Sequence, residues 1–190
     1  MTFNRITLAH FSLAVASTAL AGTAIARTPI VNTSISEAEV LAAQKGWGDA
    51  LVAISDTYSK SGQPAAKALA EKVIDGAYGY NFGAVLFKPT LTEAPQTFRT
   101  TREGALSYFV GGNSNFPKDT GFALKGWKKV EVQNAAIFLA GDVATSMGNV
   151  SFTDKDGKVT TVDKTWKFKK DDAGNLRIVV HHSSLPYTSK

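Results

Sequence analysis

The apolar period of this chain changes once, near Tyr80, and that change constrains the fold more than any other feature of its 190 residues. Before it, Val40, Ala43, Trp47, Leu51, Ile54 and Tyr58 recur at steps of three and four, which puts them on one stripe of a helix. Ser36-x-x-Glu39 has the form of a capping box at the start of that stripe. Ser61-Gly62 stops the helix. Pro64 then opens a second one in its first turn, where a missing N–H costs nothing, and Leu69, Val73 and Ile74 form its apolar side. After Tyr80 the period falls to two. Asn81 to Lys88 is expected to be a strand ended by Pro89. Thr101 to Val110 is a short helix with Ala105, Leu106, Phe109 and Val110 on one side, broken by Gly111-Gly112-Asn113. Strands are expected over residues 128–139, 142–153, 158–169 and 175–184, with Asp156-Gly157 and Ala173-Gly174-Asn175 supplying hairpin turns between the last three. Helices followed by a meander of long strands indicate an α+β fold, in which N-terminal helices pack on a curved antiparallel sheet. Such a sheet forms a cone with one open end, where a small ligand fits.

The first 26 residues stand outside that pattern. Arg5 is followed by a mostly apolar, acid-free run from Ile6 to Ala21, and Ala24-Ile25-Ala26 has the small–x–small form of a signal-peptidase site. The run is short against the roughly 20 residues needed to cross a bilayer, and Thr7, His10, Ser12 and Ser17 weaken it further. Residues 1–26 are therefore expected to be a signal peptide cleaved near Ala26. Residues 27–190 are then one domain, exported to the periplasm or secreted, with no stable membrane insertion. The formal net charge of +5 becomes +4 once Arg5 is removed, with 20 basic residues against 16 acidic ones. That balance does not indicate a nucleic-acid partner. In Thr165-Trp166-Lys167-Phe168-Lys169 the aromatics share one strand face and the lysines the other, wet one. The cluster Lys125, Lys128 and Lys129 has no stacking aromatics interleaved on an exposed face.

Chemistry is bounded by what is missing. The chain has no cysteine, which excludes disulfides, thiolate metal sites and cysteine nucleophiles. Its three histidines are His10, His181 and His182, and leader cleavage removes the first. Side chains alternate across a strand, so His181 shares a face with Ser183, and His182 shares the other with Ser184. Neighbouring strand histidines chelate one ion poorly, and two cannot build a three-histidine zinc site. No nucleophile elbow, phosphate loop or HExxH motif is present. Asp154-Lys155-Asp156-Gly157 begins like a calcium loop but lacks the later ligands, and a hairpin turn accounts for it better.

Three segments carry a resemblance: Phe87-Lys88-Pro89-Thr90, the run from Phe98 to Asn113 (FRTTREGALSYFVGGN), and His181-His182-Ser183-Ser184-Leu185-Pro186. Together they resemble the iota-class carbonic anhydrases, within the cone-shaped, nuclear-transport-factor-like folds that also include a calmodulin-dependent kinase association domain. The resemblance implies a lyase that reversibly hydrates carbon dioxide to bicarbonate. In members working without metal it implies a Thr, a Tyr and a Ser that hydrogen-bond bicarbonate, matched here by Thr90, Tyr108 and Ser183. Some relatives are linked with zinc or manganese. Others carry a further histidine where this chain has Val180, and that departure disfavours a metal cofactor. The resemblance also suggests a homodimer through the outer sheet face.

An apolar pocket with a few hydroxyl donors suits both an apolar gas and a small anion. Phe87, Phe109 and Trp127 are candidate walls, and Lys88 and Arg102 are candidate sources of positive potential for a buried anion. Tyr108, Thr90 and Ser183 are expected to position water against carbon dioxide. His181 is expected to bind substrate with Thr90, Tyr108 and Ser183, and the proton's destination is open: either the Tyr108 phenol is depressed in the pocket, or His181 relays protons on the Ser183 face. Two alternatives remain. One is an isomerase of the ketosteroid kind, using Asp75, Asp142 or Asp163 as base beside Tyr108. The other is a non-catalytic small-ligand-binding or assembly module of the same fold.

Overall fold

A computed structural model describes residues 32–189. The expected signal peptide lies outside them. Ser36 caps the first helix as its spacing implies: its backbone N–H donates to the Glu39 carboxylate (2.8 Å), and the Glu39 N–H donates to the Ser36 hydroxyl (3.3 Å). That helix, α1 (Glu37–Ala77), is broken inside at Gly62, whose φ of 76° and ψ of −179° leave the helical region. Pro64 follows at the restart, so the two expected helices form one bent element. Helix α2 (Arg102–Val110) is capped by the Thr101 hydroxyl, which accepts from the Gly104 N–H at 3.1 Å.

The strands are β1 (Leu86–Lys88), β2 (Trp127–Ala140), β3 (Val143–Asp154), β4 (Val159–Lys170) and β5 (Leu176–Ser184), in the sheet order β1-β5-β4-β3-β2. The four long strands are antiparallel neighbours, as expected. Two expectations change. The strand foreseen over residues 81–88 shrinks to Leu86–Lys88, because Phe82 and Gly83 donate back to the carbonyls of Gly79 and Tyr80 and turn the chain first. And β1 runs parallel to β5, with Phe87 beside His181, so the sheet is mixed rather than wholly antiparallel. The 41 residues of α1 separate no strands in this pairing. The long connection between β1 and β5, holding α2 and three whole strands, returns the chain in the same direction.

Alternation places Val162, Lys164, Trp166 and Phe168 of β4 on the covered face of the sheet, beside Ala144, Ser146, Val150 and Phe152 of β3. An irregularity in β5, opposite Lys167 and Phe168, changes the phase of that strand. It lets Ile178 and His181, three residues apart, both face the core. An amide pair, buried Gln44 and half-buried Asn134, ties α1 to the sheet. Gln44 and Asn134 exchange hydrogen bonds of 2.9 and 2.8 Å, and the Gln44 amide also donates to the Ser146 hydroxyl.

Candidate active site

The edge strand β1 delivers the first site residue. Its parallel pairing with β5 carries Pro89 and Thr90 alongside Ser183, and the two hydroxyl oxygens lie 2.5 Å apart. Lys88 donates to the Ser183 carbonyl at 3.1 Å and holds the strand end in place. Helix α2 brings Tyr108 across the gap, its ring edge-on to Phe87 and stacked on Phe122 at 5.4 Å. Thr90, Tyr108 and Ser183 thus converge on one small cavity, together with Phe87, Phe109, Phe122 and Trp47. The free volume for a water centre there is about 10 Å³, room for about one molecule. Thr90 and Phe122 also border a wider, half-open vestibule of about 530 Å³ between Trp127, Phe152, Val162 and Leu185. Phe87 and Phe109 are cavity walls as expected, whereas Trp127 belongs to the vestibule.

The Tyr108 phenol is not a base. Burial raises it well above its ordinary value, only partly opposed by the backbone N–H groups of Leu91 and Thr90, and the nearby Asp119 charge adds to the rise. The expectation of a depressed phenol is therefore overturned, and Tyr108 is a hydrogen-bond donor throughout the neutral range. Asp119 itself is held by Arg99 in a buried bidentate pair, at 2.6 and 3.1 Å, which closes the loop between β1 and α2 onto the segment after it.

His181 lines the cavity with its ring and keeps both nitrogens for protein partners. Tyr78, just after α1, has its hydroxyl 2.7 Å from Nδ1, and the Trp47 indole N–H donates to that same hydroxyl at 3.0 Å. Lys164 Nζ is 2.7 Å from Nε2. In this buried chain one arrangement satisfies Trp47, Tyr78 and the His181 ring together. An indole N–H only donates, so the Tyr78 oxygen accepts there and spends its own hydrogen on Nδ1. The neutral ring then carries its hydrogen on Nε2 and donates it to Lys164, which accepts only as an uncharged amine. An ammonium at Lys164 would turn Nε2 into the acceptor and move the ring hydrogen to Nδ1. The Tyr78 hydrogen would then be left without a partner. Burial drives both groups the same way: Lys164 falls to about 7, and His181 well below its ordinary value of 6.5, with the Lys164 and His182 charges adding to the latter.

Lys164, Tyr78 and Trp47 were not singled out from the sequence as site residues. Lys164 carried a signal nonetheless, because residues 164, 166 and 168 share a strand face and two of them are Trp166 and Phe168. Tyr78 carried none.

The remaining candidates lie elsewhere. Arg102 forms an exposed ion pair with Asp75, and Asp142 is paired with Lys169. Asp163 accepts from Asn149 on the outer face. No carboxylate lines the cavity among the described residues, so the isomerase alternative lacks its base. Asp154 accepts from the N–H groups of Asp156 and Lys158, as a hairpin turn and not a calcium loop requires. Lys128 and Lys129 are bound to Asp56 and Glu131. His182 is exposed, and no set of three or more His, Cys, Asp or Glu side chains is grouped to hold a metal ion among the described residues. No helix among them is long and apolar enough to cross a membrane.

Comparison with known proteins gives concordant results. A family model described as metal-independent carbonic anhydrase matches residues 38–185. A metal-independent carbonic anhydrase of Nostoc sp. (strain PCC 7120 / SAG 25.82 / UTEX 2576) is 70% identical over 152 residues, covering 80% of this chain and 74% of that relative. The crystal structure of an iota-carbonic anhydrase from a cyanobacterium, complexed with bicarbonate, superposes with a TM-score of 0.85 at 69% identity, over 86% of this chain and 99% of its own.

Proposed function

The chain belongs to the metal-independent carbonic anhydrases, which interconvert carbon dioxide and bicarbonate, and we propose that Thr90, Tyr108 and Ser183 are the residues on which it does so. The observation that carries this assignment is the meeting of three hydroxyls from three separate elements in one largely aromatic cavity. The reaction joins a water oxygen to the carbon of carbon dioxide, places a negative charge on the product oxygens, and releases a proton. Thr90 and Ser183 share one hydrogen between oxygens 2.5 Å apart, which leaves the second hydroxyl hydrogen of the pair free for the cavity. Tyr108, kept protonated by burial, contributes a further donor to the charge that develops. Carbon dioxide enters from the vestibule, and the water it meets is oriented by the hydroxyls. The family's metal independence accords with the expectation that hydroxyls, not a cation, do this work.

Stopped-flow hydration of carbon dioxide by chelator-treated protein tests the assignment. Full activity is expected after chelation, and Tyr108→Phe in a folded protein is expected to lower turnover by about 100-fold, the size of one lost donor to a developing oxyanion. Full activity in folded Tyr108→Phe would sink the residue assignment.

Two further parts of the reading rest on the sequence. The chain is an exported protein whose leader ends near Ala26, checked by N-terminal sequencing of the mature form. It also pairs as a homodimer through the outer sheet face, where Phe138 and Met147 stand exposed. Sedimentation equilibrium of the wild type and of Phe138→Asp checks this, and a monomeric wild type would refute it.

A further inference from the structure

A metal-free hydration site still needs a group to take the proton that leaves the attacking water. The three hydroxyls do not supply it: an alcohol is a weak base, and burial keeps the Tyr108 phenol protonated. His181 has both nitrogens engaged, by Tyr78 and by Lys164. Lys164 Nζ has His181 as its single hydrogen-bond partner among the described residues, its lone pair resting on the Nε2–H. It stands directly across from Ser183 in the β4–β5 register and lines the same cavity as Thr90, Tyr108 and Ser183. The hydrogen bonds from Trp47 through Tyr78 and His181 are all satisfied when its nitrogen is an uncharged amine.

We propose that Lys164 is a catalytic residue, the proton acceptor in carbon dioxide hydration and the proton donor in bicarbonate dehydration. This rests on the assignment of the cavity to Thr90, Tyr108 and Ser183. In the hydration direction the water oxygen forms a bond to carbon as one carbon–oxygen π pair moves onto oxygen. The O–H pair of the water stays on its oxygen, and the proton passes to the Lys164 lone pair, which turns from the His181 Nε2–H to the water by rotation about the Cε–Nζ bond and gives up that hydrogen bond as it does so. The products are bicarbonate and an ammonium, which then hands its proton to solvent buffer. Every atom and charge is accounted for.

The surroundings balance the amine between its two states. Its side chain is 5% exposed, and burial favours the neutral form, at an affinity of about 7. The protonated form strands the Tyr78 hydrogen, which also opposes it. Against this, the Trp47 and Trp166 rings lie 5.0 and 5.3 Å from Nζ and can stabilise an ammonium. Of the titratable groups, His181 from β5 touches it, Tyr108 from α2 lines the same cavity and Tyr78 lies beyond His181, and no carboxylate lines the cavity among the described residues. An acceptor with an affinity near the working pH is what acid–base catalysis favours.

The test uses Lys164→Met and Lys164→Arg in stopped-flow hydration at low buffer concentration, with Tyr108→Phe alongside. Both lysine variants are expected to lose at least 10-fold in turnover, the low end of a general base's contribution. Imidazole added to Lys164→Met is expected to restore part of the loss, whereas it restores nothing to Tyr108→Phe. Wild-type hydration should rise with pH through the neutral range and lose that limb in Lys164→Met. Nitrogen-detected titration of the labelled wild-type lysines provides a reading that needs no variant: Lys164 Nζ should lose its proton between pH 6 and 8, near its affinity of about 7. A Lys164 still charged at pH 9, or a folded Lys164→Met with wild-type turnover and pH profile, overturns the proposal. If Tyr108→Phe is meanwhile inactive, the cavity assignment survives that failure. If Tyr108→Phe is fully active, it is the cavity assignment that falls.

Discussion

Replacing Tyr78 by Phe removes a single oxygen from the core and leaves the packing volume almost unchanged, so what it changes is the hydrogen-bonded chain. The Trp47 indole N–H, now 3.0 Å from that oxygen, and His181 Nδ1, at 2.7 Å, both lose their partner. Each buried orphan costs about 1–3 kcal/mol, so Tyr78→Phe is predicted to lose about 2–6 kcal/mol of unfolding free energy. A second effect follows from the same loss. Without the Tyr78 hydrogen to accept, the His181 ring is free to carry its own hydrogen on Nδ1 and turn Nε2 toward a Lys164 ammonium. A bias of about 1.4 kcal/mol removed from that equilibrium moves the hydration limb upward by about one pH unit. Urea unfolding at pH 7 gives the stability, from midpoint and slope together. The limb comes from initial rates between pH 6 and 9. A loss below about 0.5 kcal/mol, well under the cost of one orphaned group, with an unmoved limb would refute the picture of a single satisfied chain from Trp47 to Lys164.

The depressed affinities of Lys164 and His181 make stability depend on pH in one direction. Lys164 holds its proton to about 10.5 when unfolded and to about 7 when folded, so between those values the unfolded chain binds the extra proton and stability rises with pH. His181 refuses in the folded state a proton that it accepts below about 6.5 when unfolded, so acid withdraws stability there too. Urea midpoints should therefore climb from pH 5 to 9, Lys164→Met should flatten the part above pH 7, and a flat wild-type profile would contradict both. At the break in α1, Gly62 adopts a φ of 76° with only Pro64 Cδ, at 3.9 Å, near an added Cβ. Gly62→Ala should cost about 1 kcal/mol from backbone strain alone, measured by thermal unfolding, and an unchanged midpoint would show that the break relaxes into helix.

The four long strands and α2 were legible in the residues to within about a position, because capping, apolar period and turn chemistry are local properties. Ser36 and Glu39, Gly62 and Pro64, Thr101, and the Asp156-Gly157 turn all act on their own neighbours. Thr90, Tyr108, Ser183 and the facing of His181 were legible through family motifs and strand alternation. The parallel seat of β1 was not, since nothing in a three-residue strand states which of two sheet edges or directions it will take. Lys164 was half legible. Its phase with Trp166 and Phe168 points it inward, yet a lysine's charge argues for the wet face.

What settles that conflict is distance in sequence. Which face a strand residue takes follows from its neighbours two positions away, so the sequence determines it. Whether a lysine on the inner face stays charged depends on the groups that assemble around it: His181 from the next strand, Trp47 from the first helix, and Tyr78 beyond that helix's end. Only the tertiary fold brings these together, and the free energy of an ionised group is set by the solvent it loses and the partners it gains. The hydroxyls are written in the sequence as a motif, while the burial that lowers the affinity of the amine beside them is a product of packing.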